Sequence, residues 1–261
     1  MIQLGELTQI AERDGVEART VERDYVLNQI LVHLYGDEDP RADDLVFKGG
    51  TLLRACYFDE YRYSADLDFS LRGSLSAPDA EAFVGDALVR CSEAAGFDRL
   101  DMERVSGREC RVTFQRPYGR EGRIKLNVAD DELVGEPARL GLISRYSDIP
   151  TLGSVTGYTL EEVGAEKLRC VIQRVQARDY YDLYRLFVVE GERLDASWGS
   201  FIDKARHKNL DPERFGEKLD ERRPLYEARW IGELSGYMRD VPPFDRVDRE
   251  VRGVLRTTTD R

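Results

Sequence analysis

The stretch YRYSADLDFSL, Tyr61 to Leu71, limits what this chain can fold into more than any other. Leu67, Phe69 and Leu71 alternate with Asp66, Asp68 and Ser70. Residues two apart on a strand point to the same face. The pattern therefore predicts a half-buried strand, with Leu67 and Phe69 turned to the core and Asp66 and Asp68 emerging together. Two like charges so placed repel unless something positive lies between them. A divalent cation is the natural partner, because Mg²⁺ takes one or two carboxylates and completes its shell with phosphate oxygens. Taken alone, the D-x-D pattern also describes an ordinary pair of exposed strand or turn carboxylates.

Upstream lies FKGGT, Phe47 to Thr51, at the end of the short apolar run Leu45–Lys48 and before TLLRACYF, which reads as a short helix. Two glycines there permit a sharp turn and leave backbone N–H groups uncovered at a helix start, which together make a cradle for phosphate. Thr51 would add a hydroxyl donor, and Lys48 and Arg54 positive charge. The plainer alternative is a tight strand-to-helix turn that needs glycine for steric reasons only. An apolar strand, GGT, and then D-x-D at the head of a second strand is a far more specific combination than either part.

The remainder of the chain sets these motifs in an α+β frame. Residues 3–13, 16–35 and 77–95 read as helices. In the second, Val21, Tyr25, Ile30, Leu31 and Leu34 recur at helical spacing. Residues 98–106, 109–116 and 122–129 read as strands. After Pro150 the pattern turns helical, broken near 190, 210 and 242. A helix over TLEEVGAEKLRCVIQRVQ begins with Thr159 as N-cap and Glu162 in the capping-box position. The expected organisation is a mixed-sheet lobe over 1–155 and a helical lobe over 156–261.

Composition narrows the chemistry. The 261 residues include four cysteines and two histidines. Cys56, Cys91, Cys110 and Cys170 form no C-x-x-C pair, so they read as reduced, mostly buried thiols and not as a zinc site. An enzyme built from this sequence must rely on carboxylates, lysines, arginines and backbone. The net charge of −11 argues against extensive contact with a polyanion. The charge is uneven, however. Arg104, Arg108, Arg111, Arg116, Arg120, Arg123 and Lys125 face only Glu109 and Glu121 within that run, and Lys167, Arg169, Arg174 and Arg178 form a second cluster. These read either as solvated faces or as a local basic cleft in an acidic body. The polar N-terminus and the lack of a membrane-length apolar run point to a cytoplasmic protein with no membrane partner.

GGT followed by S-x-D-L-D-F is similar to the G-[GS]…D-x-D signature of polymerase-β-like nucleotidyltransferases. KGGTLLRACYFDEYRYSADLDFSL, then EEVGAEKLRCVIQR, then RDYYDLYRLF resembles one branch of them, the AbiEii/AbiGii-type nucleotidyltransferase toxins of bacterial and archaeal toxin–antitoxin systems. The resemblance implies a polymerase-β-like lobe and a helical C-terminal lobe that completes the active site. It implies a toxin that moves a nucleoside monophosphate from an NTP to an acceptor hydroxyl. Family resemblance suggests a tRNA 3′ end as the acceptor, with inhibition of translation, a role in phage defence and a cognate antitoxin as partner. Position by position, Asp66 and Asp68 would hold Mg²⁺ or Mn²⁺. Gly49, Gly50 and Thr51 fall on the phosphate-holding turn, with Lys48, Arg62 and Ser64 beside the nucleotide. Lys167 matches the lysine expected to grip a nucleotide phosphate, and Asp182 the late acidic residue expected near the site. Arg111, Arg123, Lys125 and Arg174 would hold a short stretch of RNA backbone.

One position departs from that pattern. Polymerase-β-like enzymes usually carry a third carboxylate on a later strand. The best match here, RIKLNVADD, offers Asn127, which can ligate but cannot act as a base, with Asp130 as the nearest substitute. One metal or two, and Asp182 as base, stay open. So do three other functions: transfer to a small molecule such as an aminoglycoside, transfer to a protein hydroxyl including Ser64 itself, and a nucleotide-binding module without turnover. For Arg178, Asp179 and Asp182 the residues alone also allow a bare helix start, with Asp179 as N-cap.

Overall fold

The alternation at 66–71 becomes the centre of a seven-stranded mixed sheet. A computed structural model describes residues 2–37, 39–115, 121–149, 151 and 154–259. Pro150, Arg116 and Arg120 lie outside the described residues. The chain forms two compact units, Met1–Tyr158 and Thr159–Arg261.

The first unit runs α1 (Leu4–Asp14), α2 (Ala18–Tyr35), α3 (Arg41–Asp44), β1 (Leu45–Lys48) and α4 (Gly49–Leu52). A π-helical turn, Leu53–Tyr57, extends α4 and leads to β2 (Asp66–Leu71) and α5 (Ala77–Ala95). There follow β3 (Leu100–Ser106), β4 (Glu109–Phe114), β5 (Gly122–Ala129), β6 (Ala138–Leu140) and β7 (Val155–Gly157). The strand order is β3-β4-β5-β2-β1-β7-β6. Strand β2 pairs antiparallel with β1 and parallel with β5. Leu67 and Phe69 are buried, as the alternation predicts, and Asp66 and Asp68 are half-buried on the other face. Strands β4 and β5 alternate likewise: Cys110, Val112, Ile124 and Leu126 are buried, while Arg123 and Lys125 are exposed.

Helices α2 and α5 pack on each other, and both touch β5. Ser76 caps α5 by accepting from the Asp79 amide, and Gly96 ends the helix in the left-handed region. Helix α2 is buried nearly all round, including Asp24, Asn28 and Gln29. Sequence periodicity identifies its apolar face but not these polar residues. They are accepted inside because they are bonded: the Asp24 carboxylate receives Arg54 Nε at 2.7 Å and the Tyr146 hydroxyl at 2.6 Å.

The second unit contains α6 (Leu160–Gln173), α7 (Ala177–Tyr184) continued by a π-helical turn at Arg185–Val189, α8 (Leu194–His207), a 3₁₀ turn at Pro212–Arg214, α9 (Phe215–Leu234) and α10 (Phe244–Thr259). Thr159 caps α6, its hydroxyl accepting from the Glu162 amide at 3.2 Å. The core is aromatic: Tyr180 stacks on Tyr226 at 5.0 Å, and Trp230 meets Phe244 edge-on at 5.3 Å. All four cysteines are unpaired thiols, three of them buried. Among the described residues, no helix is long and apolar enough to cross a membrane.

Candidate active site

The site grows from the junction of β1, α4 and β2. Strand β1 ends at Lys48, which lies opposite Asp68 in the antiparallel register. Gly49 follows with φ of +80°, a conformation that L side chains rarely adopt. A Cβ on Gly49 would lie 3.0 Å from Asp68 Oδ2. The carboxylate therefore rests against bare backbone at the mouth of the turn. Gly50 is equally enclosed, since its Cβ would meet Arg62 Nη2 at 2.7 Å and Ser64 Oγ at 3.3 Å. The turn, Asp68, Arg62 and Ser64 thus form one contiguous group, as the sequence motif suggests.

Three details differ from the sequence expectation. The Thr51 hydroxyl, expected to donate to phosphate, instead donates to the Asp66 carbonyl at 2.5 Å and ties the turn to the head of β2. Arg54, expected to add charge to the cradle, points into the core. It donates to Asp24 and to the Tyr61 carbonyl at 2.7 Å each, and its guanidinium lies 3.6 Å from the Tyr63 ring centroid. Lys48 and Arg62 are both only 4% exposed. Lys48 Nζ sits 3.9 Å from Glu132 Oε1 and 5.7 Å from the Tyr158 ring centroid, and Arg62 donates to the Tyr63 carbonyl at 3.1 Å.

On the other flank of β2, Asp66 aligns with Lys125 and Asp68 with Asn127. Asn127, the position on β5 where the resemblance led us to expect a third carboxylate, is thus the register partner of Asp68. Asp130, beyond the end of β5, is half-exposed and ion-paired with Arg108 at 2.7 Å. Among the described residues no group of three or more His, Cys, Asp and Glu side chains is placed to hold a metal ion. The donor set is thus two carboxylates on one strand face. That suits a single Mg²⁺ sharing its shell with phosphate oxygens and does not suit an all-protein cage.

The basic run is largely answered by acids. Arg111 pairs with Glu103 at 2.8 Å, Lys125 with Glu109 at 2.7 Å, and Arg123 with Glu121 at 3.2 Å. Even so, Arg111, Arg123 and Lys125 line one cleft of about 240 Å³ together with Asp66, Glu109 and Arg23. Arg23 carries no sequence signal, because a charged residue early in an amphipathic helix is unremarkable.

In the second unit, Lys167 lies buried between two carboxylates, 2.8 Å from Asp179 Oδ1 and 2.7 Å from Asp182 Oδ2. Asp182 is fully buried. Arg174, expected to hold RNA, donates to Asp179 through Nε at 2.8 Å. Burial raises the Asp179 pKa, but Lys167 and Arg174 outweigh it and hold the carboxyl well below the usual range. Asp179 does not cap α7; that position is Gln176. Its role as the second partner of Lys167 was hidden in the sequence, because the pair forms only when α7 packs against α6.

MenT4, a nucleotidyltransferase toxin from Mycobacterium tuberculosis H37Rv, has a similar structure, with a TM-score of 0.68 at 20% identity. The match covers 100% of this chain and 91% of that one. No curated protein matches the chain. Residues 32–250 match the family model described as nucleotidyl transferase AbiEii toxin, type IV TA system, and the chain belongs to that family of nucleotidyltransferase toxins.

Proposed function

We propose that the protein moves a nucleoside monophosphate from an NTP to the 3′ hydroxyl of an RNA, most simply a tRNA, and so inhibits translation until a cognate antitoxin counters it. One observation carries the reading: Asp66 and Asp68 emerge together from β2, and Asp68 rests against the Gly49 backbone of the turn. In this reading the bond between the α-phosphorus and the bridging oxygen breaks, pyrophosphate leaves, and the acceptor oxygen takes its place and releases its proton to water.

Asp66 and Asp68 would hold Mg²⁺ or Mn²⁺, which when bound neutralises charge on the phosphates. The turn at Gly49–Gly50 offers backbone N–H groups to the triphosphate, and Thr51 fixes the position of the turn through the Asp66 carbonyl. Lys48, Arg62 and Ser64 surround the turn and orient the nucleotide. The chain contributes mainly positioning and electrostatic stabilisation. Asn127 can hold a ligand by its amide but cannot take the proton of the entering hydroxyl. We also propose that Lys167, Asp179 and Asp182 are required for transfer, on the strength of a lysine kept buried between two carboxylates.

The test is incubation of the purified protein with α-labelled NTPs, Mg²⁺ and total tRNA. Label at RNA 3′ ends, lost in Asp66→Ala, is the expected result. Label on a protein band or a small molecule would move the acceptor to that class. NTP binding with no transfer to any acceptor would leave a nucleotide-binding module.

A further inference from the structure

Strand β2 has β1 on one side and β5 on the other. The Gly49–Gly50 turn follows β1. The cleft of about 240 Å³ lies on the opposite side, walled by β4 and β5 and by Arg23 from α2. Asp66 belongs to both surroundings. Phosphoryl transfer needs the entering and leaving oxygens roughly in line across the phosphorus. With the triphosphate at the turn, the acceptor enters from the β5 side, which is where the cleft opens.

Cations dominate the lining of that cleft: Arg23, Arg111, Arg123 and Lys125 against Asp66 and Glu109. Arg111, Arg123 and Lys125 already have carboxylate partners. Arg23 differs. Its Nε is enclosed and finds no hydrogen-bond partner, and among the described residues no carboxylate pairs with its guanidinium. With no carboxylate to answer it, the Arg23 guanidinium leaves a positive charge at the cleft with which a phosphate oxygen can pair.

We infer that Arg23 binds a backbone phosphodiester of the acceptor strand and so selects nucleic acid over an uncharged small molecule. This rests on the transferase reading for its orientation, but its test does not need turnover. The measurement is binding of a fluorescein-labelled single-stranded RNA, without NTP, across a salt series. Arg23→Ala should weaken binding about tenfold and flatten the plot of log affinity against log salt by about 0.7, the contribution of one phosphate contact. Arg23→Lys should keep the slope. If Arg23→Ala unfolds, Arg23→Gln replaces it and should behave the same way. NTP affinity, measured separately, should not change in any of them. RNA binding and slope equal to wild type, or loss confined to NTP affinity, overturns the inference. So does a wild-type protein that binds no RNA. Labelling of RNA that persists in Asp66→Ala, with the Arg23 effect intact, would instead count against the transferase reading alone.

Discussion

Asp68 on β2 and Asn127 on β5 are direct neighbours in the parallel register, so their side chains leave the same face of the sheet. Adjacent strands lie about 4.8 Å apart. A third carboxylate at 127 would therefore crowd Asp68 and be tolerated only with a cation to share. Asn127→Asp should lower the melting temperature by about 2–4 °C in chelator, corresponding to about 1 kcal/mol of like-charge repulsion. Millimolar Mg²⁺ should restore it, with a larger upward shift than in wild type. Calorimetry with and without Mg²⁺ measures both. Equal Mg²⁺ shifts in variant and wild type would mean that Asn127 does not share the ion's surroundings.

The two glycines of the turn should respond differently to alanine. Gly49 has φ of +80°, and its Cβ would press on Asp68 Oδ2 at 3.0 Å. Strain in the left-handed region costs about 1–2 kcal/mol. Gly49→Ala should lose that much stability and more than tenfold in transfer, since Asp68 must move. At Gly50 the obstacle is Arg62 Nη2, the far end of a flexible side chain. Gly50→Ala should keep its stability within about 1 kcal/mol, helped by the better helix propensity of alanine. Its KM for NTP should rise because Arg62 is displaced. Denaturant unfolding and steady-state kinetics on the pair decide the matter, and identical behaviour of the two variants would refute the assignment of the turn.

The parts of this site visible in the sequence are those set by local signals. The β2 strand shows in its alternation, the turn in its glycines, and α6 in its capping box at Thr159 and Glu162. Features that depend on distant pairing are hidden. Strands β6 and β7 are three residues each, too short for periodicity, and β7 is a strand because β1 is available to pair with it at Phe47 and Gly157. The basic run was plain, yet its neutralisation depends on register: Arg111 faces Glu103 only once β3 and β4 are paired. Arg54 reads as a charge for the phosphate cradle until α2 brings Asp24 to it. The same applies to Lys167, whose partners Asp179 and Asp182 arrive from the next helix.

The Asp24–Arg54 pair should act as the clamp that holds the segment after the turn. Burial lowers the Arg54 pKa, but the charge of Asp24 outweighs it, so the guanidinium is held charged inside the first unit. Arg54→Ala leaves a buried carboxylate with one fewer donor and should cost about 3–5 kcal/mol. Arg54→Lys cannot reproduce both the bond to the Tyr61 carbonyl and the stacking on Tyr63, and should cost about 2 kcal/mol. A double-mutant cycle with Asp24→Asn should give a coupling of about 1–3 kcal/mol in urea unfolding. Additive effects would show that the two side chains are stabilised separately.

The buried cluster of Lys167, Asp179 and Asp182 predicts an acid-dependent stability with a definite sign. The Asp179 pKa is depressed in the folded chain. Its contribution is therefore present above the unfolded value of about 4 and is lost as pH falls from there toward the folded value. Lys167→Met removes the cation that both carboxylates share and should cost about 3–5 kcal/mol at pH 7. As pH falls toward 4, a carboxylate of the variant can take up a proton and become neutral. The gap between wild type and variant should then narrow. Both tryptophans, Trp198 and Trp230, lie in the second unit, so their fluorescence follows its unfolding directly. A gap of equal size at pH 7 and pH 4 would mean that the lysine does not stabilise ionised carboxylates, and the requirement proposed for this cluster in transfer would lose its physical basis.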